Sequence, residues 1–185
     1  MEIEGSYNWA NHLEIPEKPV GPRVETVKIG DETRRDGRQG TRQRKRISQH
    51  KWETYVEAAS KYVDYFDVGF PGSRGNHRGE IVKIVEHSIN KKLDVAFSVA
   101  GRASKREDVE AIIDVFHKLD GYPIEADIFL DGSQERAYIH GWDRQEMLKA
   151  MAENTQFLTR HGIPVMVVLE RAFKYYPDEV REMSM

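Results

Sequence analysis

The sequence predicts an α/β fold of about five parallel strands and four helices in sequential order. Short apolar segments alternate with longer segments of helical periodicity from Val24 to Leu169. The apolar segments are mostly unbroken, as in strands that are covered on both faces. They recur about every 30 residues, the length of one strand and its crossover helix. Segments that alternate in this way form parallel sheets through right-handed crossovers.

The chain is expected to begin with an extended segment. Residues 1–23 contain three prolines within seven residues and show no sustained period, so they are predicted as a leader. Apolar and polar residues then alternate over 24–30, which predicts the first strand. A basic loop follows, and apolar residues at helical spacing predict a helix over 48–62. Residues 24–185 are therefore predicted to form a single domain.

The same two periodicities predict the remaining elements. These are a strand at 65–71, a helix at 76–89, a strand at 93–99, a helix beginning near 104, a strand at 124–130, a helix beginning at 143 and a strand at 164–169. Capping patterns mark two of the helix starts, at Ser104–Glu107 and Asp143–Glu146. Gly162 is expected to lie just past the end of the last helix.

The composition excludes several classes of protein. The chain has 28 Lys and Arg against 31 Asp and Glu, a net charge of −3, and we expect neither nucleic acid nor a membrane surface as its partner. It has no cysteine, so disulfides and thiolate metal sites are excluded. The first residues lack the pattern of a signal peptide, and no apolar run approaches the ~20 residues of a membrane span. A cytoplasmic location is therefore expected.

A dense polar cluster directly follows the first predicted strand. It reads Asp31-Glu32-Thr33-Arg34-Arg35-Asp36-Gly37-Arg38-Gln39. Loops after strands are where α/β enzymes place their functional side chains. In the next strand, the carboxylate Asp67 is flanked by apolar residues and needs a partner, because a lone buried charge is costly. A structural ion pair with Arg35 and a catalytic role are both open for Asp67.

This cluster resembles the D-x-T-x-R-D-G-x-Q signature of the DRE-TIM metallolyases, the family of 2-isopropylmalate synthase, homocitrate synthase and 3-hydroxy-3-methylglutaryl-CoA lyase. Phe66–Pro71 resembles the family's I-E-x-G-F-P segment, which is typical of its synthase branch. Ile128–Ser133 is similar to its I-F-x-x-x-S segment, and Gly162–Glu170 to its passage from helix to fifth strand. The likeness covers residues 24–178.

The resemblance implies that the chain is the N-terminal part of a (β/α)8 TIM barrel with its site at the carboxyl ends of the strands. Asp36 then matches the aspartate that binds a divalent metal (Mg, Mn or Zn). Arg35 matches the arginine that stabilises enolate or carbonyl charge, and Asp67 stands where the family has a glutamate. The implied substrate-binding positions are Gln39, Arg102, Ser133 and Glu170.

The reaction that the resemblance implies is a Claisen-type condensation of acetyl-CoA with a 2-oxo acid. A metal-dependent acyl-CoA lyase or 2-oxo acid aldolase of the same family is an alternative. A catalytically inactive scaffold or regulatory half-barrel is another, and a five-stranded doubly wound binding domain is a third. Strand order separates the last of these, because a doubly wound sheet reverses its order.

The chain also lacks features that the family's reaction needs. A complete barrel takes ~250 residues, and the seven histidines contain no His-x-His pair like the one that supplies the family's remaining metal ligands. We therefore expect self-association, a partner chain that supplies the rest of the barrel, or a truncated reading frame, and no turnover by the isolated chain.

Overall fold

The computed structural model describes residues 26–38, 47–73, 77–175 and 180–181. The predicted leader, the predicted site residue Gln39 and the basic run at 42–46 lie outside these ranges. The described strands and α-helices are β1 (Gly30–Asp31), α1 (Gln49–Ala59), β2 (Tyr65–Asp67), α2 (His77–Asn90), β3 (Ala96–Arg102), α3 (Arg106–Lys118), β4 (Glu125–Leu130), α4 (Gln134–His140), α5 (Arg144–Arg160) and β5 (Val165–Leu169).

The five strands form one parallel sheet in the order β1-β2-β3-β4-β5. This confirms the predicted α/β class, the parallel pairing and the sequential order. A doubly wound sheet changes direction at a switch point. The order of these strands shows no such reversal, so the doubly wound alternative is wrong. Sequential order is also the order of successive strands in a (β/α)8 barrel.

A hydrophobic core lies between the sheet and the helices. Neighbouring helices contact one another in chain order, α1 with α2, α2 with α3, and α3 with α5. Strand residues such as Phe66, Val99 and Ile128 are almost fully buried against them, together with Ile112 and Leu158 from the helices. Because side chains alternate across a strand, the residues between these apolar ones face away from the helices.

The first strand is shorter than predicted. Its ladder with β2 begins at Gly30, opposite Tyr65, although residues 26–29 were predicted to belong to the strand as well. The backbone of Ile29 still bonds to Asp64, whose amide donates to the Ile29 carbonyl at 2.7 Å. A strand forms a regular ladder only where a neighbouring strand lies beside it. Because β2 begins at Tyr65, the ladder of β1 begins at Gly30. The side chains of Val27 and Ile29 are 77% and 55% exposed, so this edge of the sheet presents apolar surface.

A fifth helix, α4, stands where the sequence predicted none, so the prediction of four helices was too low. The Ser133 hydroxyl caps it by accepting a bond from the Arg136 amide, and Gly141 ends it with a φ of +62°. The helix has only seven residues, and its Tyr138 and Ile139 are exposed. The helix α4 therefore lacks the buried apolar stripe from which a helix could have been predicted. No helix among the described residues is long and apolar enough to cross a bilayer.

One of the two predicted capping patterns forms. The Asp143 carboxylate accepts a bond from the Glu146 amide at 3.0 Å and starts α5. The prediction for Ser104 is wrong, because α3 begins after Lys105 without a side-chain capping bond. Instead the buried Asp108 side chain accepts the Arg102 amide at 3.1 Å. Gly162 follows the end of α5 with a φ of +77°, as predicted.

Candidate active site

A cavity of about 550 Å³ lies at the carboxyl end of the sheet. The loops after β1 and β2 form one side of it, and β3, β4 and β5 form the other. Its charged lining residues are Glu32, Arg34, Arg35, Asp36, Arg38, Asp127 and Glu170. Its apolar lining residues include Phe70, Phe129, Met166 and Val168. Small-molecule sites commonly have this size and this mixture of apolar walls and a few polar groups.

The alternation of strand residues explains why carboxylates face this cavity. In β4, Ala126 and Ile128 pack in the core, so Asp127 between them faces the opposite side of the sheet. In β2, Phe66 and Val68 pack in the core, and Asp67 between them faces away from the helices. The face of the sheet that points away from the helices therefore carries carboxylates, which the hydrophobic core could not accommodate.

Arg35 is the centre of an ion-pair cluster at the cavity wall. Its guanidinium pairs with Glu32 through Nη2 at 2.5 Å, with Asp36 through Nη1 at 2.8 Å and with Asp67 through Nε. Burial lowers the pKa of Arg35, but the three carboxylates, Asp67 foremost, raise it by more. A guanidinium has five N–H donors. Each of the three nitrogens lies within ion-pair distance of a carboxylate oxygen, and the side chain is 21% exposed at the cavity wall.

Asp67 holds Arg35 in place. Its side chain is 1% exposed, and its Oδ1 accepts a hydrogen bond from the Gly69 amide at 3.1 Å. Burial raises the pKa of Asp67 to about 7, although Arg35 and the Gly69 amide oppose this rise. Because the carboxylate is bound on both sides, it orients the guanidinium toward the cavity. The structure thus brings Arg35, Asp36 and Asp67 together.

Arg34 has a supporting role that the sequence did not distinguish from that of Arg35. Its side chain is 2% exposed and donates through Nη1 to the Val68 carbonyl. Its Nη2 lies 3.6 Å from Glu80, and its guanidinium lies 5.9 Å from the centre of the Trp52 ring. Burial lowers the pKa of Arg34 to about 10. This arginine connects the loop after β1 to the end of β2 and so positions Arg35.

Asp127 is a cavity residue that the sequence motifs did not indicate. It lies on β4 and is 6% exposed, and its Oδ1 has no hydrogen-bond partner among the described residues. Burial raises its pKa to about 6, and the neighbouring Ser98 hydroxyl opposes this rise. The signal was present in the sequence, because Glu125 and Asp127 alternate with Ala126 and Ile128 as polar and apolar faces of a strand.

The other predicted substrate-binding residues take different positions. Glu170 lines the cavity directly after β5. Arg102 pairs with Asp108 at 2.6 Å. Its guanidinium lies 5.6 Å from the centre of the Phe70 ring, and this ring lines the cavity. Ser133 caps α4, and its Oγ also donates to Asp131 at 2.8 Å, a role that maintains structure.

The described residues do not fit the metal that the resemblance implies. Asp36 lines the cavity, but its carboxylate is paired with Arg35. Within the described ranges, no group of three His, Asp or Glu side chains could hold a metal ion. A catalytic zinc keeps about three protein ligands. Metal binding by Asp36 therefore stays a sequence-based expectation, and the chemistry considered below uses the side chains alone.

The fold and the cavity define an α/β protein with a charged cavity at the carboxyl end of a parallel sheet. No family model matches the chain, and no curated protein matches it. Short motifs and the geometry of the cavity are therefore the grounds for assigning a function.

Proposed function

We propose that this chain carries the first five strands of a condensing enzyme of the DRE-TIM metallolyase type, which joins acetyl-CoA to a 2-oxo acid. One observation carries the proposal: Arg35 lines the wall of a cavity, and its Nε is paired with the buried carboxylate of Asp67. A 2-oxo acid presents a carboxylate and a keto oxygen, both of which accept hydrogen bonds from a planar guanidinium.

The role of Arg35 follows from the charge that develops in the reaction. When a carbon nucleophile attacks the keto carbon, the keto oxygen becomes an alkoxide. A donor that is already oriented stabilises this charge without reorganisation. Asp67 supplies the orientation and is a positioning residue. Because three carboxylates surround the guanidinium, its hold on an anion depends on directed hydrogen bonds more than on net attraction.

The apolar walls favour a 2-oxo acid with a small aliphatic side chain. Phe70 and Phe129 pack edge to face at 5.8 Å between ring centres, and both rings line the cavity. Met166 and Val168 continue this surface on β5. A branched aliphatic group placed there gains about 25 cal/mol for each Å² that it removes from water.

Calorimetric titration with 2-oxoisovalerate tests the proposed function. Arg35→Lys keeps the charge but loses the planar fork, so we expect affinity to fall by about tenfold or more. Arg160→Gln is the matched control, since Arg160 lies in the last turn of α5 and is not among the residues that line the cavity. Equal affinity of the wild type and the Arg35→Lys variant would contradict the proposal.

The exposed edge of the sheet favours a second candidate, a half-barrel whose role is to bind a complementary chain. Val27 and Ile29 expose apolar side chains beside β1, and an unpaired strand edge is a template for association. Sedimentation velocity over a range of concentrations tests it. We expect assemblies larger than the monomer, and fewer of them after Ile29→Asp. A monomer at every concentration would contradict self-association.

A further inference from the structure

The cavity contains one buried carboxylate that the proposed role of Arg35 does not use. Asp127 faces the cavity from β4, and no described cation forms an ion pair with it. The groups that face it are Ser98 on β3, Tyr65 and Asp67 on β2, Glu32 and Arg35 after β1, Glu125 on its own strand, and Glu170 after β5. Met166 is its register partner on β5 and is apolar.

We propose that Asp127 is a catalytic residue, the base that removes a proton from the methyl carbon beside the thioester carbonyl of acetyl-CoA. This inference rests on the proposed function, which supplies the two substrates. It adds the residue that forms the nucleophile.

The other described carboxylates of the cavity suit this role less well. Glu32 and Asp36 are ion-paired with Arg35, and so is Asp67 behind them. Glu170 is exposed at the rim, where its carboxylate is solvated by water. Asp127 is buried and borders the cavity, and one of its oxygens has no hydrogen-bond partner in the part of the chain that the structure describes. Its pKa of about 6 makes it a stronger base than an exposed aspartate, yet it is mostly ionised at neutral pH.

The step balances with the two substrates and water alone. The Asp127 carboxylate takes a methyl proton, and the electron pair of the C–H bond forms the enolate of the thioester. The enolate carbon bonds to the keto carbon of the 2-oxo acid, and the π pair of that carbonyl moves to its oxygen, which Arg35 stabilises. The proton on Asp127 then passes to this alkoxide, directly or through water, and restores the carboxylate.

Deuterium exchange into the methyl group of acetyl-CoA in heavy water tests the assignment on the full chain, with 2-oxoisovalerate present and absent. Exchange reports proton removal alone, so it does not require the complete turnover that the isolated chain is not expected to carry out. We expect the exchange rate to rise with pH around a midpoint of about 6, where Asp127 ionises. Asp127→Asn should lower the rate by about 100-fold or more and abolish this midpoint. The Asn side chain has nearly the same shape, and a thermal melt verifies that the variant folds.

Two further variants leave Asp127 in place and shift its pKa in opposite directions. Glu125 raises the pKa of Asp127, so Glu125→Gln should retain exchange with a lower midpoint. The Ser98 hydroxyl lowers it, so Ser98→Ala should raise the midpoint. Opposite shifts support the assignment even if Asp127→Asn fails to fold.

The exchange assay tests the role of Asp127 and the calorimetric titration tests the proposed function, so either result can be negative without the other. If 2-oxoisovalerate binds in an Arg35-dependent way but the wild type shows no exchange, the role of Asp127 is overturned and the proposed function stands. Exchange by Asp127→Asn at the rate of the wild type, or midpoints that do not move in Glu125→Gln and Ser98→Ala, overturns it equally. If 2-oxoisovalerate does not bind, the proposed function itself is overturned.

Discussion

Buried carboxyl groups on the face of the sheet that points away from the helices lower the free energy of unfolding. Asp127 is 6% exposed, and burial raises its pKa to about 6, from about 3.9 for a free aspartate. The folded state therefore binds a proton between pH 4 and 6 that the unfolded state does not bind. The free energy of unfolding falls as pH rises through this window, and Asp127 destabilises the fold at neutral and alkaline pH.

The variant Asp127→Asn should consequently be more stable than the wild type at pH 8. We expect a gain on the order of 2 kcal/mol, because the uncompensated buried charge is removed. The gain should shrink as pH falls toward 4, since the wild-type side chain then becomes neutral as well. Urea unfolding at several pH values measures both effects. A variant that is less stable than the wild type at pH 8 would contradict the assigned burial of this charge.

The backbone conformation at position 69 and the nearby Arg34 side chain both favour glycine there. Its φ is +139°, and a Cβ atom there would lie 2.8 Å from Nη1 of Arg34, which is held by the Val68 carbonyl. Gly69→Ala should therefore destabilise the fold by about 2 kcal/mol. Gly37→Ala is the matched control, because among the described residues a Cβ atom there would meet only Thr33, at 3.5 Å. Similar urea midpoints for the two variants would show that the site around Arg34 tolerates the added carbon.

The sequence indicated part of the site and left individual residues undetermined. The motif located the loop that carries Arg35 and Asp36, and the need for a partner pointed to Asp67. Which of the adjacent residues Arg34 and Arg35 is fully buried depends on the end of β2 and on Trp52, and these come from distant segments. Asp127 was missed because no family motif singles it out.

At the scale of single elements, the two capping patterns have different outcomes, which a pair of variants can measure. Asp143 bonds the Glu146 amide and starts α5, so Asp143→Ala should cost about 1 kcal/mol. Ser104 makes no capping bond to α3, so Ser104→Ala should change stability by less than about 0.5 kcal/mol. Thermal unfolding of both variants gives the comparison. Equal losses would indicate that Ser104 does cap α3 in solution.

Element types followed from local patterns, whereas their limits depended on tertiary neighbours. The helices α1, α2, α3 and α5 each carry a buried apolar stripe, and all four were predicted. The short helix α4 has little apolar surface to bury and depends on the Ser133 cap, so periodicity could not predict it. The length of β1 depends on where β2 begins, which no feature of its own residues indicates.

At the scale of the whole molecule, strand order connects the fold to the site. Sequential parallel strands bring all their carboxyl ends to one edge of the sheet, where residues from distant segments meet. Arg35 after β1, Asp67 on β2 and Asp127 on β4 share that edge. The alternation of strands and helices predicted this architecture, because crossovers between parallel strands leave few arrangements. The cavity volume and its lining could not be predicted, since they depend on side-chain positions.

The most direct measurement of the central claim is a crystal structure of the chain with 2-oxoisovalerate bound. We expect the carboxylate or keto oxygen of the ligand to lie within hydrogen-bond distance of the terminal nitrogens of Arg35, with Asp67 still bound to Nε. The aliphatic group should lie against Phe70, Phe129 and Met166. A ligand bound elsewhere, or an Arg35 that turns into solvent away from Asp67, would contradict the proposed site.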